Sequence, residues 1–164
     1  MTFLFIDRIT ELVRRTRITA YRNFSSGEDI FRDHFPGYPT VPGSLLLESL
    51  TQAATALIEA SEGFRQKALP VLVERVKYRR RVKPGDRLDM EGRVVEWGEQ
   101  IVRTDFEGRV DGAVVIHAEL TMAVMPFESV FRGAETRALV MEIYRGFLEG
   151  AKLGGFEKGI EGLS

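Results

Sequence analysis

Cysteine is absent from this sequence of 164 residues, and histidine occurs only twice, as His34 and His117. The absence of cysteine excludes disulfides, thiol catalysis and zinc sites built from cysteine. Two histidines are too few for a histidine-rich metal site. The composition therefore offers no support for a bound metal.

The sequence also lacks an excess of charge and lacks long apolar runs. Its 23 Lys and Arg residues nearly balance its 24 Asp and Glu residues, which argues against general affinity for nucleic acid. No segment approaches the ~20 apolar residues needed to cross a bilayer. The N-terminus meets charge at Asp7 and Arg8, unlike a signal peptide. We expect one cytoplasmic domain that does not insert into membranes.

Proline is scarce, yet three of the 6 prolines lie in residues 34–43, beside two glycines. This segment is predicted to be a loop. Good helix formers follow Gly43, which predicts a helix ending at about Ser61. The helix is apolar on nearly every face, as is typical of a buried helix, but it carries Glu48 and, one turn later, Gln52. A buried acid requires a partner or a protonated carboxyl group.

Strand-like segments lie on both sides of the predicted helix. Short turns between them, such as Asp111-Gly112, favour an antiparallel arrangement. The economical packing is an α+β fold in which a curved antiparallel sheet wraps around the helix. The predicted strands cover residues 3–10, 17–24, 69–82, 88–97, 101–110 and 114–125.

The loop and the start of the helix carry a specific pattern, His-Phe-Pro-Gly-x-Pro-x-x-Pro-Gly-x-Leu from His34 to Leu45, followed by Glu48 and Gln52. This pattern resembles the signature of the 3-hydroxyacyl-[acyl carrier protein] dehydratases. Glu48 stands where the isomerising FabA branch has aspartate, so the sequence is similar to the FabZ type. The resemblance extends over residues 3–125 and implies the hotdog fold, in which a curved antiparallel sheet surrounds one long buried helix.

A further amphipathic helix is predicted over residues 134–152, outside the resemblance. We expect its stripe of Leu139, Ile143 and Phe147 to pack on the hotdog body or on a neighbouring subunit. The glycine-rich tail after Gly154 is predicted to be weakly ordered. The chain then divides into a hotdog region, 1–126, and a C-terminal extension of the same domain, 127–164.

Dehydration of a 3-hydroxyacyl thioester needs a base for the C2 proton, an acid for the C3 hydroxyl and a donor to the enolate-like oxygen. His34 suits the base, because histidine titrates near neutral pH. Glu48 suits the acid, since apolar surroundings favour a protonated carboxyl. Gly43 starts the helix, where N–H groups lack partners. The resemblance implies these three roles, and further that the Thr40 carbonyl orients His34, that Gln52 supports Glu48, and that His and Glu meet across a homodimer interface.

Four basic residues, Lys77, Arg79, Arg81 and Lys83, have the same parity in the predicted strand and would project from one face. The resemblance implies a partner, an acyl carrier protein whose phosphopantetheine holds the acyl chain. Acyl carrier proteins are acidic, so a basic face would steer them. The alternative is an ordinary solvated sheet face.

The favoured function is that of a hydro-lyase that forms trans-2-enoyl-[acyl carrier protein], without metal or organic cofactor, in fatty-acid or related lipid or polyene synthesis. Two alternatives stay open. A hotdog acyl thioesterase would need an activated water or a carboxylate nucleophile. A non-catalytic partner subunit that binds acyl carrier proteins is suggested by Asp33, which directly precedes His34, and by the added helix.

Overall fold

A computed structural model describes residues 3–131, 133–157, 159–161 and 163. None of the helices in these residues is long and apolar enough to cross a membrane. In chain order the elements are strands β1 (Arg8–Val13) and β2 (Arg17–Asn23), helices α1 (Ile30–Asp33) and α2 (Gly43–Ser61), strands β3 (Gln66–Tyr78), β4 (Arg87–Trp97), β5 (Ile101–Val110) and β6 (Ala113–Pro126), helices α3 (Phe127–Val130) and α4 (Ala134–Leu148), and strand β7 (Lys152–Gly154).

The described strands form one sheet in the order β3-β6-β5-β4-β2-β1-β7. Neighbouring strands are antiparallel, except that β7 runs parallel to β1. The sheet curves around α2, which contacts every strand from β2 to β6. Leu50, Leu57 and Ile58 of α2 are completely buried in this contact, as are Phe106 and Ile116 of the sheet. The predicted antiparallel sheet around one long helix is therefore confirmed.

Helix α2 is buried to different extents along its length. It begins at Gly43, as predicted, and its last six residues, 56–61, are all buried. Earlier in the helix, Leu45, Glu48, Gln52 and Thr55 are only half-buried. Their spacing of three and four residues places them on one face of the helix. The candidate acid thus lies on a partly open face of an otherwise buried helix.

The strands after α2 follow the sequence pattern closely. The prediction for residues 101–110 coincides with β5, and in β6 the alternating residues Ile116, Ala118, Leu120 and Met122 are all buried. Glycine within β4 has a packing reason: a Cβ atom at Gly92 would lie 2.0 Å from the Phe106 ring of β5. The aromatic ring occupies the space that a side chain would need.

The N-terminal prediction was wrong at its start, because β1 begins at Arg8 and residues 3–6 are not in the sheet. Phe5 and Ile6 are buried, but the Phe5 N–H donates to the Gln52 side chain instead of a neighbouring strand. Alternation in the sequence indicates which side chains are buried, but it does not indicate which group each backbone N–H binds. The segment therefore lies across α2 and joins the candidate site.

Helix α4 packs on the body as expected, with Phe147 of the predicted stripe half-buried against the core, but Leu139 of that stripe takes no part in the packing. Leu139 is 60% exposed, whereas Met141 and Tyr144 are buried. The Tyr144 hydroxyl donates to buried Glu59 of α2 at 3.0 Å. Apolar residues occupy more than one side of α4, so their pattern alone could not identify the docked side.

The segment after α4 also differs from the prediction. It forms β7, which the sequence analysis missed, and the pairing of β7 extends the sheet beyond β1. Ile160 is buried in the core, so the prediction of a weakly ordered tail was wrong at that residue. Isolated apolar residues among glycines give too little periodicity to predict such packing.

Candidate active site

His34 lies at the C-terminal end of α1, at the start of the proline-rich loop, with its orientation fixed by Thr40. The His34 Nδ1 atom is 2.9 Å from the Thr40 carbonyl oxygen, and the Thr40 N–H donates back to the His34 carbonyl. A carbonyl oxygen can only accept, so Nδ1 must donate. The neutral ring consequently carries its proton on Nδ1 and leaves a lone pair on Nε2.

Glu48 and Gln52 are joined on the half-buried face of α2. The Phe5 N–H donates to Gln52 Oε1 at 2.8 Å, which fixes the orientation of the amide. Gln52 Nε2 must then donate, and it does so to Glu48 Oε1 at 2.8 Å and to the Phe3 carbonyl at 3.2 Å. Within the described residues, Glu48 Oε2 has no hydrogen-bond partner. One carboxyl oxygen is held and the other is available.

Gly43 opens the same helix, with the aromatic ring of Tyr78 against it. A Cβ atom at Gly43 would lie 2.9 Å from the Tyr78 ring, so this close approach requires glycine. Among the described residues, no side chain caps α2, and the N–H groups of Gly43 and Ser44 have no acceptor. These N–H groups and the helix dipole favour a negatively charged oxygen. Partial burial raises the pKa of the Tyr78 phenol.

A cavity of about 470 Å³ lies beside this helix start. Its walls include Gly43, Tyr78 and three consecutive arginines, Arg79, Arg80 and Arg81. The guanidinium group of Arg81 stacks over the Tyr38 ring of the loop, 3.9 Å from the ring centroid. The cavity thus joins the free N–H groups of α2 to a strongly basic surface segment.

The predicted basic strand face does not exist as a regular face. Strand β3 ends at Tyr78, and its register shifts between Glu74 and Lys77. Beyond the strand, the Val82 carbonyl accepts hydrogen bonds from the proline-rich loop, which draws the chain away from the sheet. The basic side chains are nevertheless all exposed: Lys77, Arg79, Arg81 and Lys83.

The structure brings together only some of the predicted site residues. Thr40 contacts His34, and Gln52 contacts Glu48, but within one protomer no hydrogen bond joins His34 to Glu48 in the described part of the chain. The second histidine is separate, because His117 Nε2 lies 2.6 Å from Asp105 on the sheet. In the described residues, no group of three or more potential metal ligands lies together.

Three contributors to the site were not predicted from the sequence. The backbone of Phe3 and Phe5 fixes Gln52, Tyr78 covers Gly43, and Arg80 adds to the cavity wall. Backbone groups are the same in every residue, so their contribution to the site cannot be predicted from residue types. Tyr78 could have been suspected only from its place beside the basic residues, since nothing in its spacing points to Gly43.

Comparison with protein families matches residues 1–119 to the FabA-like domain. A 3-hydroxyacyl-[acyl-carrier-protein] dehydratase FabZ of Bacillus velezensis is 37% identical over 123 residues, which are 74% of this chain and 87% of that protein. The protein of the same name from Myxococcus xanthus is 37% identical over 126 residues, covering 75% of this chain and 82% of its own. The family match includes the proline-rich loop and α2.

Solved structures resemble this chain in fold. The structure of smu.793 from Streptococcus mutans bound to acetyl CoA has a TM-score of 0.62 at 17% identity and covers 77% of this chain and 93% of its own. A hypothetical thioesterase protein with coenzyme A from Streptococcus pneumoniae has a TM-score of 0.58 at 18% identity and covers 73% and 85%. At such identities the likeness concerns the fold alone, and it confirms the predicted hotdog arrangement.

Proposed function

The chain belongs to the FabA-like family, and on that premise we propose that it dehydrates 3-hydroxyacyl-[acyl carrier protein] to the trans-2-enoyl product in fatty-acid or related lipid synthesis. His34 Nε2 takes the C2 proton, Glu48 Oε2 gives a proton to the C3 hydroxyl, and that oxygen leaves as water. The electron pair of the C2–H bond becomes the C2=C3 double bond. The reaction uses no metal and no organic cofactor.

The observation that carries this proposal is the complementary orientation of two groups. Thr40 leaves a lone pair on one nitrogen of His34, and Gln52 leaves one oxygen of Glu48 available. A dehydratase needs one group of each kind, a proton acceptor and a proton donor. Negative charge that develops on the thioester oxygen is stabilised by the free N–H of Gly43.

We expect the purified protein to convert a 3-hydroxyacyl thioester into an enoyl thioester without releasing free thiol. The reason is that the proposed base and acid act at C2 and C3, and neither attacks the carbonyl carbon. Enoyl absorbance and a thiol-reactive dye, read on the same sample, measure the two products. Thiol release without enoyl formation would instead identify a thioesterase and refute the dehydratase proposal.

The catalytic pair is proposed to form between two protomers, since His34 and Glu48 are not joined within one. Strand β3 lies at the edge of the sheet, and its exposed apolar side chains include Leu69, Val71 and Leu72. An exposed apolar edge strand is a ready template for pairing with another chain. Pairing two copies through β3 would bury this edge and give a homodimer.

The exposed basic residues after β3 are proposed to bind the acidic acyl carrier protein. Arg79→Glu and Arg81→Glu together should lower kcat/KM for a substrate on the carrier protein on the order of tenfold, because steering by charge is lost. The loss should be larger at low salt, where charges are screened less. Steady-state kinetics at two salt concentrations measure it.

The matched control is Arg145→Glu on α4, where an exposed arginine lies far along the chain from the basic segment. It should leave turnover unchanged. A pantetheine thioester without the carrier protein should be turned over equally by the wild type and by the Arg79 and Arg81 variant. A similar loss with both substrates would contradict a role in carrier binding. It would indicate that the two substitutions act on the cavity at Gly43, which Arg79 and Arg81 also line.

A further inference from the structure

A second and larger cavity, of about 700 Å³, lies between α4 and the N-terminal segment; we call it the α4 groove. Its volume is within the ~300–1,000 Å³ usual for small-molecule sites. The apolar side chains that line it are all buried or half-buried, whereas Asp29 and Glu142 at its surface are exposed. The apolar lining consists of Leu4, Ile6, Ile30, Ile143 and Phe147.

Two exposed glycines, Gly27 and Gly146, line the α4 groove. Every other glycine that the structure describes has a positive φ, or would place a Cβ atom within 3.2 Å of a neighbour. At Gly146 a Cβ atom would meet nothing within 4 Å, and at Gly27 the nearest atom is 3.9 Å away. Glycine within a helix destabilises the helix relative to alanine, so the helix itself gives no reason for glycine at position 146. A groove that has to stay open explains why both of these positions carry glycine.

The charges around the α4 groove disfavour an anionic occupant. Its lining contains four carboxylate groups and only two guanidinium groups. Arg22 is already bound by Asp7 at 2.7 Å and by Glu28 at 2.8 Å. Glu142 has no partner among the described residues. The five apolar side chains suit an uncharged aliphatic chain, and the excess of negative charge disfavours a fatty-acid carboxylate.

The α4 groove adjoins the candidate active site through the N-terminal segment. Leu4 lines the groove, and it lies between Phe3 and Phe5, whose backbone groups hold Gln52 beside Glu48. The groove and the Gln52–Glu48 pair therefore share the N-terminal segment as a wall, and an acyl chain that passes this segment would place its uncharged end in the groove.

From these observations we propose that the α4 groove binds the methyl-terminal part of the substrate's acyl chain, so that the C-terminal extension sets chain-length specificity. The inference rests on the proposed dehydratase function. It gives α4 a role in selecting the substrate and assigns it no role in the proton transfers. The specificity-determining positions are Ile143, Gly146 and Phe147.

Gly146→Phe should block the groove without a clash, because space is open around Gly146. Each buried methylene that loses its site lowers kcat/KM about fourfold, so three excluded methylenes lower it roughly 60-fold. The measurement is kcat/KM for 3-hydroxybutanoyl and 3-hydroxydodecanoyl pantetheine. We expect a loss with the long substrate and no change with the short one.

A control variant separates filling of the groove from general effects on α4. Ala138→Phe places the same large ring at an exposed position of α4 that does not line the groove. It should keep the wild-type ratio of long-chain to short-chain kcat/KM. If Gly146→Phe also keeps this ratio while the wild type is active, the groove inference fails and the dehydratase proposal stands.

A labelling experiment tests the groove without turnover. A dodecanoyl pantetheine amide with a photoreactive diazirine at its last carbon is irradiated with the protein, and the labelled peptides are identified by mass spectrometry. Label on residues 3–8 or on α4, lost in Gly146→Phe, supports the inference. No label on these segments, or label elsewhere, overturns it. Absence of turnover in the wild type would refute only the proposed function.

Discussion

Glu48→Gln is expected to lower turnover of a 3-hydroxyacyl thioester by ~10²–10⁴-fold, the usual contribution of one positioned acid or base. Glutamine keeps the shape of the side chain and can still bond to Gln52, but it has no acidic proton for the leaving hydroxyl. His34→Ala should give a loss of the same order through removal of the base. Steady-state kinetics with a pantetheine substrate measure both.

Glu62→Gln is the matched control, because Glu62 follows the far end of α2 and pairs with Arg15 at the surface. It should be fully active. All three variants should unfold at temperatures close to that of the wild type, since Glu48 and His34 are only half-buried. Near-wild-type turnover by Glu48→Gln would refute its assignment as the acid, even if the protein proves to be a dehydratase.

The second large effect concerns stability. Lys67→Met is expected to lower the free energy of unfolding by ~3–5 kcal/mol at pH 7, because it leaves a buried charge without its partner. Glu59 is 1% exposed, and its carboxylate is 2.7 Å from Lys67 Nζ. The same carboxylate accepts from the Ala68 N–H and from the Tyr144 hydroxyl. Urea unfolding measures the change.

The pH dependence follows from the direction of the pKa shift. Burial raises the pKa of Glu59, whereas the Lys67 charge and the hydrogen bonds from Ala68 and Tyr144 act to lower it. A raised pKa means that Glu59 favours folding fully below the unfolded value of ~4.3, and this contribution is lost as the pH rises through the folded value. Lys67→Met raises the folded pKa further. Its effect should therefore shrink toward pH 4.

The double variant Glu59→Gln with Lys67→Met is the control for this prediction. Removing both charges should restore much of the stability at pH 7, because no unpaired charge remains buried. Glutamine can still accept the hydrogen bond from Tyr144. A Lys67→Met variant that is equally destabilised at pH 4 and pH 7 would show that packing by the lysine stem matters and the ion pair does not.

Much of the fold could be predicted because its signals are local. Proline and glycine mark the loop before α2, the change to helix formers marks its start at Gly43, and Asp111-Gly112 marks the turn between β5 and β6. The alternation in β6 gives its buried face directly. These features depend on the backbone and side-chain preferences of neighbouring residues, which the sequence contains.

The remaining features depend on contacts between distant residues. The Phe5 N–H bonds to Gln52, 47 positions later, and Tyr144 of α4 bonds to Glu59, 85 positions earlier. Periodicity shows that a segment has an apolar face but not which neighbour it meets. The same limit explains why the sequence identified Glu48 and Gln52 as a pair but not the backbone groups that fix the amide.

Strand β7 has a consequence for polymerisation. It covers residues 11–13 at the outer side of β1, and it is itself only three residues long, so that side of the sheet offers little for another copy to add to. Strand β3 is the long free edge at the other side. In the proposed homodimer, two copies pair through β3 about a two-fold axis, so neither copy keeps a free β3 edge. Growth by strand addition is then expected to stop at the closed pair, because only the short edge at β7 remains for an open-ended fibre.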